Sequence, residues 1–361
     1  MTNPIKNLQR RSAAFQALDP GDKWRAVGES LINNAIYILL VIFVIYTYTR
    51  NHKFISVSSL INIVSLAAAS MPIALGIAGT IVLTGTDLSA GRVVGLTAAM
   101  SAAMLQAADW GNKMFPHLPE VPIPIVILAV IVVGGIVGLV NGFFVAKFHL
   151  HPFIVTLATQ LIVYGVILMF YMANGNNGQP LSGLSQTFTN FVTGPLFRIK
   201  TGASSVAVPK YVLYAAILVA IMWFIWNKTK FGKNMFAVGS NIEAANVSGV
   251  SVFKTTVLVH TLAGCMYGIT GFIESARIAS NTANTGLNYE SDAIAACVIG
   301  GVSFVGGTGK ISGIVLGVFL LRIIFVALNF LSISGNMQYV IKGLIILVAC
   351  SIDMRKYLVR K

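Results

Sequence analysis

Acidic side chains are scarce in this chain. Its 361 residues include 11 Asp and Glu against 25 Lys and Arg, and charged residues of either sign make up only 10%. Soluble domains carry roughly a quarter charged residues, so a water-soluble globular protein is excluded. The few acids and histidines form no spaced His/Asp/Glu set, and no Ser/Lys pair stands at catalytic spacing. Neither an enzyme nor a metal centre is expected. Cysteine is rare too: Cys265, Cys297 and Cys350 fall in apolar runs without ligand-like spacing, and such thiols act as small buried hydrophobes. The first thirty residues lack an apolar core and cleavage site, so no signal peptide is expected. A nucleotide loop is missing as well. Gly306-Gly307-Thr308-Gly309-Lys310-Ile311 ends in Gly-Lys, but a P-loop also needs glycine where Phe304 stands and Ser or Thr where Ile311 stands.

What the chain has is apolar residue, 56% of it. Runs long enough to cross about 30 Å of hydrocarbon fall near 31–49, 59–84, 88–108, 123–146, 153–172, 209–227, 253–275, 291–306, 311–331 and 338–352. They predict an all-α, polytopic membrane helix bundle of about ten transmembrane helices. The run 291–306 is short and glycine-rich, and reads as broken or re-entrant. A net charge of +14 would suggest nucleic acid in a soluble chain. Here the cations border apolar runs, the positive-inside pattern, and nucleic acid is rejected as a partner. Lys and Arg concentrate in 1–30, 228–254 and 354–361. This bias predicts a transmembrane domain over 31–353 with both basic tails, 1–30 and 354–361, in the cytoplasm beside the 228–254 loop. The 1–30 tail reads as carrying a short amphipathic helix around Trp24. The Asn-, Gly-, Ser- and Thr-rich stretch 173–208 is then the longest external loop, either a contact for an extracytoplasmic partner or an irregular linker.

The polar island 228–254 holds the sharpest local signal. Ser240 and Glu243 have capping-box spacing, Glu243, Ala244 and Ala245 favour helix, and Gly249 supplies a stop. A helix that short needs a docking partner; Ser240, Asn241, Glu243, Ala244, Ala245 and Gly249 would form it. Two glycine-rich turns come next. In Thr84-Gly85-Thr86-Asp87-Leu88-Ser89-Ala90-Gly91-Arg92, Asp87 or Ser89 can cap a helix start. The second runs from Gly300-Gly301 to Gly306-Gly307. Asp87, Ser89, Gly91, Gly300, Gly301, Gly306 and Gly307 are hinge or gate candidates, with capping and close packing as the plainer readings. The likeness of the two turns suggests two related halves.

Intramembrane charges mark function or pairing. Glu274 and Arg277, at i and i+3, are expected to pair on one helix face; Asp292, Arg322 and Lys342 are single charges that could pair across helices or face a pathway. Asn141, Gln160, Tyr164, Asn329, Gln338 and Tyr339 could bond a sugar or one another. Gly134-Gly135-x-x-Gly138 and Gly313-x-x-x-Gly317 read as close helix packing.

Taken in order, Gly85-Thr-Asp-Leu-Ser-Ala-Gly-Arg92, Asn227-Lys-Thr-Lys-Phe-Gly-Lys-Asn234, Glu243-Ala-Ala-x-x-x-Gly249 and Tyr289-Glu-Ser-Asp-Ala-Ile-Ala-Ala-Cys-Val298 resemble the sugar-type ABC-importer permeases of the ribose and galactoside group. The likeness runs from about Phe54 to Asp353 and is greatest to galactose/methyl-galactoside members. It implies a permease subunit of the inner membrane that carries a hexose, with no cofactor of its own. It also implies a second copy of this chain, a separate ABC ATPase subunit that binds ATP and Mg, and a periplasmic or lipid-anchored sugar-binding protein. The 240–249 helix would be the lever that meets the ATPase; the Ile-x-Leu-Pro that usually continues the motif is absent. An ion-coupled secondary transporter using Asp87, Glu274 or Asp292, and a permease for ribose, nucleoside or branched-chain amino acid, are the alternatives.

Overall fold

A computed structural model describes Asp19, residues 35–201 and residues 204–358. The basic tail 1–30 and its expected helix around Trp24 therefore lie outside the described residues, as does the tip of the C-terminal tail. Among the described residues the chain forms thirteen α-helices and one β-hairpin. The helices are α1 (Ala35–Arg50), α2 (Val57–Val82), α3 (Ala90–Met104), α4 (Ile123–Phe148), α5 (Pro152–Met172) and α6 (Gln186–Thr193), followed after the hairpin by α7 (Tyr211–Lys228), α8 (Lys230–Ser240), α9 (Ile242–Val247), α10 (Val252–Ile278), α11 (Tyr289–Ile299), α12 (Ile311–Phe330) and α13 (Gly335–Leu358).

Each predicted apolar run contains a helix among the described residues, but a count of about ten spans is not confirmed. Among the described residues, six helices are long and apolar enough to cross a membrane: α2, α4, α5 with its terminal turn, α7, α10 and α12. The apolar parts of α1, α3 and α13 are shorter. At 1.5 Å per residue, the 15 residues of α3 reach about 22 Å and the 11 of α11 about 16 Å. Neither covers about 30 Å.

The hub is α10, packed on α2, α3 and α4. Small residues permit this. A Cβ at Gly134 would run into the Gly264 carbonyl, one at Gly138 into that of His260, and one at Gly268 into that of Val130. With no hydrophobic gain to be had between helices in lipid, such close backbone approach is what holds them together, as the glycine spacing predicted. Gly317 meets Ala296 and Gly313 meets Gly300 in the same way, which joins α12 to α11. On the perimeter, α4 and α5 present Leu128, Leu161, Ile162 and Met169 outward, each more than 60% exposed, the face a bilayer would cover.

The two ends of the bundle differ. At one, α7 turns into α8 and α9 and returns as α10. At the other, the stretch 173–208 is built rather than irregular: a 3₁₀ turn (Ala173–Gly175), α6, and strands β1 (Pro195–Thr201) and β2 (Ser204–Pro209) paired antiparallel. Leu181 exchanges both backbone bonds with Asn281 (2.8 and 2.9 Å), which ties this stretch to the segment after α10.

Candidate functional site

The helices α8 and α9 form one unit between α7 and α10. Thr229 caps α8 by accepting the Gly232 N–H at 3.2 Å, and Phe236 stacks edge-on with Trp226 of α7 at 5.5 Å. The expected capping box does not form. Ser240 is the last residue of α8, its hydroxyl donating to the Phe236 carbonyl at 2.8 Å. Asn241 is the cap of α9 instead, its Oδ1 accepting the Ala244 N–H at 2.8 Å. The cap moves by one residue because Lys230–Ser240 is itself helical, and only the extended Asn241 between the two helices has free cap geometry. Gly249 does end the helix. Its φ of +80° and the bonds Gly249 N–H to Asn246 and Val250 N–H to Ala245, both 3.0 Å, make a Schellman stop. Ala245 is buried, whereas Glu243, Ala244 and Val247 point outward, Val247 being 91% exposed.

The end of α8 touches the second glycine-rich turn and the end of α2. The Gly307 N–H donates to the Val82 carbonyl at 2.9 Å. A Cβ on Gly239 would strike that carbonyl, and one on Gly307 would strike Ser240. Gly306 and Gly307 have φ of +88° and +65°, which only glycine adopts freely. Gly300 packs on Gly313, and Gly301, with φ +82°, turns the chain out of α11.

The first turn lies elsewhere. Asp87 is 1% exposed, and its Oδ1 accepts both the N–H (2.9 Å) and the hydroxyl (2.6 Å) of Ser89. Ser89 is the cap residue of α3 but makes no side-chain cap bond. Asn141 of α4 donates to the Ser89 hydroxyl at 3.0 Å, and Thr159 of α5 donates to Asn141 at 2.6 Å. His260 and Tyr267 of α10, both buried, lie within electrostatic reach of Asp87. His260 donates through Nδ1 to Thr256 at 3.0 Å, while its Nε2 and the Tyr267 hydroxyl have no hydrogen-bond partner. The turn thus makes a polar chain of four helices deep in the bundle. Gly91 faces Gly286 and the Glu290 carboxylate, so α3 and α11 begin against one another in the interior. The two glycine turns are therefore not equivalents.

Arg92, which closes the first glycine-rich turn, is buried, with Cζ 4.0 Å over the Tyr164 ring and Nη1 donating to Ala283 at 3.4 Å. Glu274 and Arg277 pair as expected, at 2.7 Å, and Tyr289 donates to Glu274 at 3.4 Å. Asp292 pairs across helices with Lys342 at 2.5 Å and Arg322 at 3.8 Å, and Arg322 also donates to Ser70. Asn329 accepts from Gln338 at 2.8 Å, a bond between helices. Sequence reasoning passed over His260, Tyr267 and Thr159; a histidine within an apolar run was the available signal.

Comparison with known proteins agrees with this architecture. The galactose/methyl galactoside import permease protein MglC of Haemophilus influenzae is 44% identical over 92% of this chain and 96% of its own length. Its namesake in Escherichia coli is 42% identical over the same shares. The ribose import permease protein RbsC of H. influenzae is 32% identical over 91% of this chain and 94% of its own. No solved structure matches. The model of the branched-chain amino acid transport system / permease component family matches residues 54–350, and the chain belongs to that family.

Proposed function

We propose that this chain is the membrane-spanning subunit of an ATP-driven importer for galactose or a methyl galactoside. It would form the sugar pathway, while a separate ATPase subunit hydrolyses ATP and a sugar-binding protein delivers the cargo. The observation that carries the reading is the near full-length similarity to two galactoside permeases at 42–44% identity, with the ribose relative at 32%. The lever geometry supports it. An outward helical face at Glu243, Ala244 and Val247 suits a groove on a partner, and the ATPase subunit is the occupant. In this reading the α8–α9 end lies in the cytoplasm and the hairpin end outside, the orientation that the Lys and Arg bias favours.

The mechanism follows from the junction at Gly239. When the ATPase dimer closes and displaces α9, the motion reaches α8 and then, through the Gly239–Val82 and Ser240–Gly307 contacts, α2 and the turn after α11. Both are close-packed and have little room to yield locally, so the displacement is passed on as helix tilt. Asp87, Ser89 and Gly91 lie on the interior side of that movement and act as a hinge region. A second copy of the chain would complete the pathway.

The test is uptake of methyl galactoside by the chain reconstituted with its ATPase and binding protein. Glu243→Lys should lose the outward contact, and Gly249→Pro cannot adopt φ +80°. Both should abolish uptake and leave insertion intact. Normal uptake by both variants removes the lever role, and uptake without any ATPase removes the ATP-driven reading.

A further inference from the structure

At the end opposite the lever, the link between α3 and α4 and the segment after α5 enclose a cleft of about 590 Å³. We propose that this cleft is a sugar-holding site, built to take a neutral polyhydroxylated ring of hexose size. The inference rests on the sugar-import reading for its cargo and on this chain's own residues for its chemistry.

Trp110 supplies an apolar wall. It is 40% exposed and lies flat over Gly183, where a Cβ would penetrate the indole ring. Most of the other polar lining is amide and hydroxyl, from Asn112, Asn174, Asn176, Gln179 and Ser182, beside Lys113, Pro180 and two glycines. Asn176 is fixed, donating to Tyr171 at 2.9 Å and to the Gln179 carbonyl at 2.8 Å, which leaves its own amide oxygen for a ligand. Among the described residues no hydrogen bond engages the side chains of Asn112, Asn174 or Gln179, and all three are exposed. Each primary amide offers two donors and an acceptor, a match for neighbouring ring hydroxyls, while the indole takes the C–H face.

Charge argues for the same class. The cleft has no carboxylate, so it does not select cations, and its lysine, Lys113, is tied to the Leu118 carbonyl at 3.0 Å. The walls are also held in place before any ligand arrives. Ala107 N–H donates to Gly183 at 2.7 Å, Gln106 Nε2 donates to Ser182 at 2.9 Å, and Met114 N–H donates to Gln106 Oε1 at 2.8 Å. Such preorganisation lowers the cost of binding. Ser280, on the cleft wall, begins the segment that runs past Arg92 and Gly91 into the bundle, so the site lies at a mouth that leads inward.

The experiment is a titration of the chain in lipid nanodiscs, without ATPase or binding protein, using galactose and methyl galactoside as probes and leucine as a comparison. Saturable quenching or enhancement of tryptophan fluorescence is expected with the sugars, absent in Trp110→Phe although the three other tryptophans remain. Saturation-transfer NMR should show affinity lowered about tenfold by Trp110→Ala. Gln179→Ala or Asn112→Ala should each lower it about two- to tenfold. The last two side chains are exposed and unbonded, so folding is not at stake in them. Leucine binding in place of sugar overturns the proposal. So does any result in which the variants weaken docking of the binding protein with sugar affinity unchanged. If the assembled transporter imports methyl galactoside yet the isolated chain binds no sugar, the holding site falls and the import reading stands. If the cleft binds sugar and import fails, the cleft is supported and the import reading falls.

Discussion

Gly239→Ala is the sharpest probe of how motion passes through this protein. The added methyl would collide with the Val82 carbonyl oxygen and lie 2.9 Å from both the Val82 carbonyl carbon and the Gly307 nitrogen. Carbon atoms in contact settle at about 3.5–4.0 Å, and the Val82 oxygen lies closer to the methyl than either of these atoms, so the walls must part by at least about 1 Å. Overpacking of that kind costs about 1–3 kcal/mol. The strain falls on the joint between α8, α2 and the turn after α11, not on the bundle core. Set against a two-state equilibrium, 1–3 kcal/mol shifts the balance by about five- to 150-fold. Uptake in proteoliposomes should fall by a factor in that range, with ATP hydrolysis by the partner persisting and membrane insertion unchanged. Gly165→Ala, on α5 with nothing within 4 Å of the new methyl, is the control and should behave as wild type. If Gly239→Ala transports normally, the joint does not transmit motion and the mechanism proposed above fails.

Three further outcomes are expected. Asp292→Ala leaves Lys342 and Arg322 without their carboxylate at side-chain exposures of 15% and 18%, and should cost about 3 kcal/mol; a lowered thermal midpoint in detergent, largely restored by Asp292→Glu, checks this. Gly138→Ala drives a methyl into the His260 carbonyl and should loosen α4 from α10, which a disulfide-crosslinking assay between the two helices would report as a reduced rate. Asn241→Ala removes the cap bond to Ala244, worth about 1 kcal/mol; it should weaken ATPase binding several-fold in a pull-down titration, while Asn241→Ser retains most of it.

Much of the helical plan was legible because its causes are local. Apolar run length located every helix of the bundle core, glycine spacing located the contacts of α4 with α10 and of α11 with α12, and Gly249 marked the end of α9. The Glu274–Arg277 pair was readable because both partners sit on one helix face. What failed depended on neighbours in space or on a competing element. Ser240 lost the cap to Asn241 because Lys230–Ser240, read as loop, is an amphipathic helix folded back on α7. The apolar run 88–108 looked long enough to cross, but α3 stops short, since residues around 84–89 take a non-helical path through the interior; 291–306, read as broken or re-entrant, is helical only to Ile299. The hairpin at 195–209 was missed because its strands are short and half polar. Trp110 gave no signal at all; its cleft is assembled from three segments far apart in sequence, at 110–113, 174–182 and Ser280.

The meeting of α3 and α11 has an electrical consequence. Each begins in the interior, so each directs the partial positive charge of its free amides there, and the carboxylates of Asp87 and Glu290 lie beside those beginnings. Two of the chain's 11 acids are thus offset by backbone rather than by lysine or arginine alone. The interior where α3 and α11 begin is polar, and its two carboxylates face backbone amides rather than lipid.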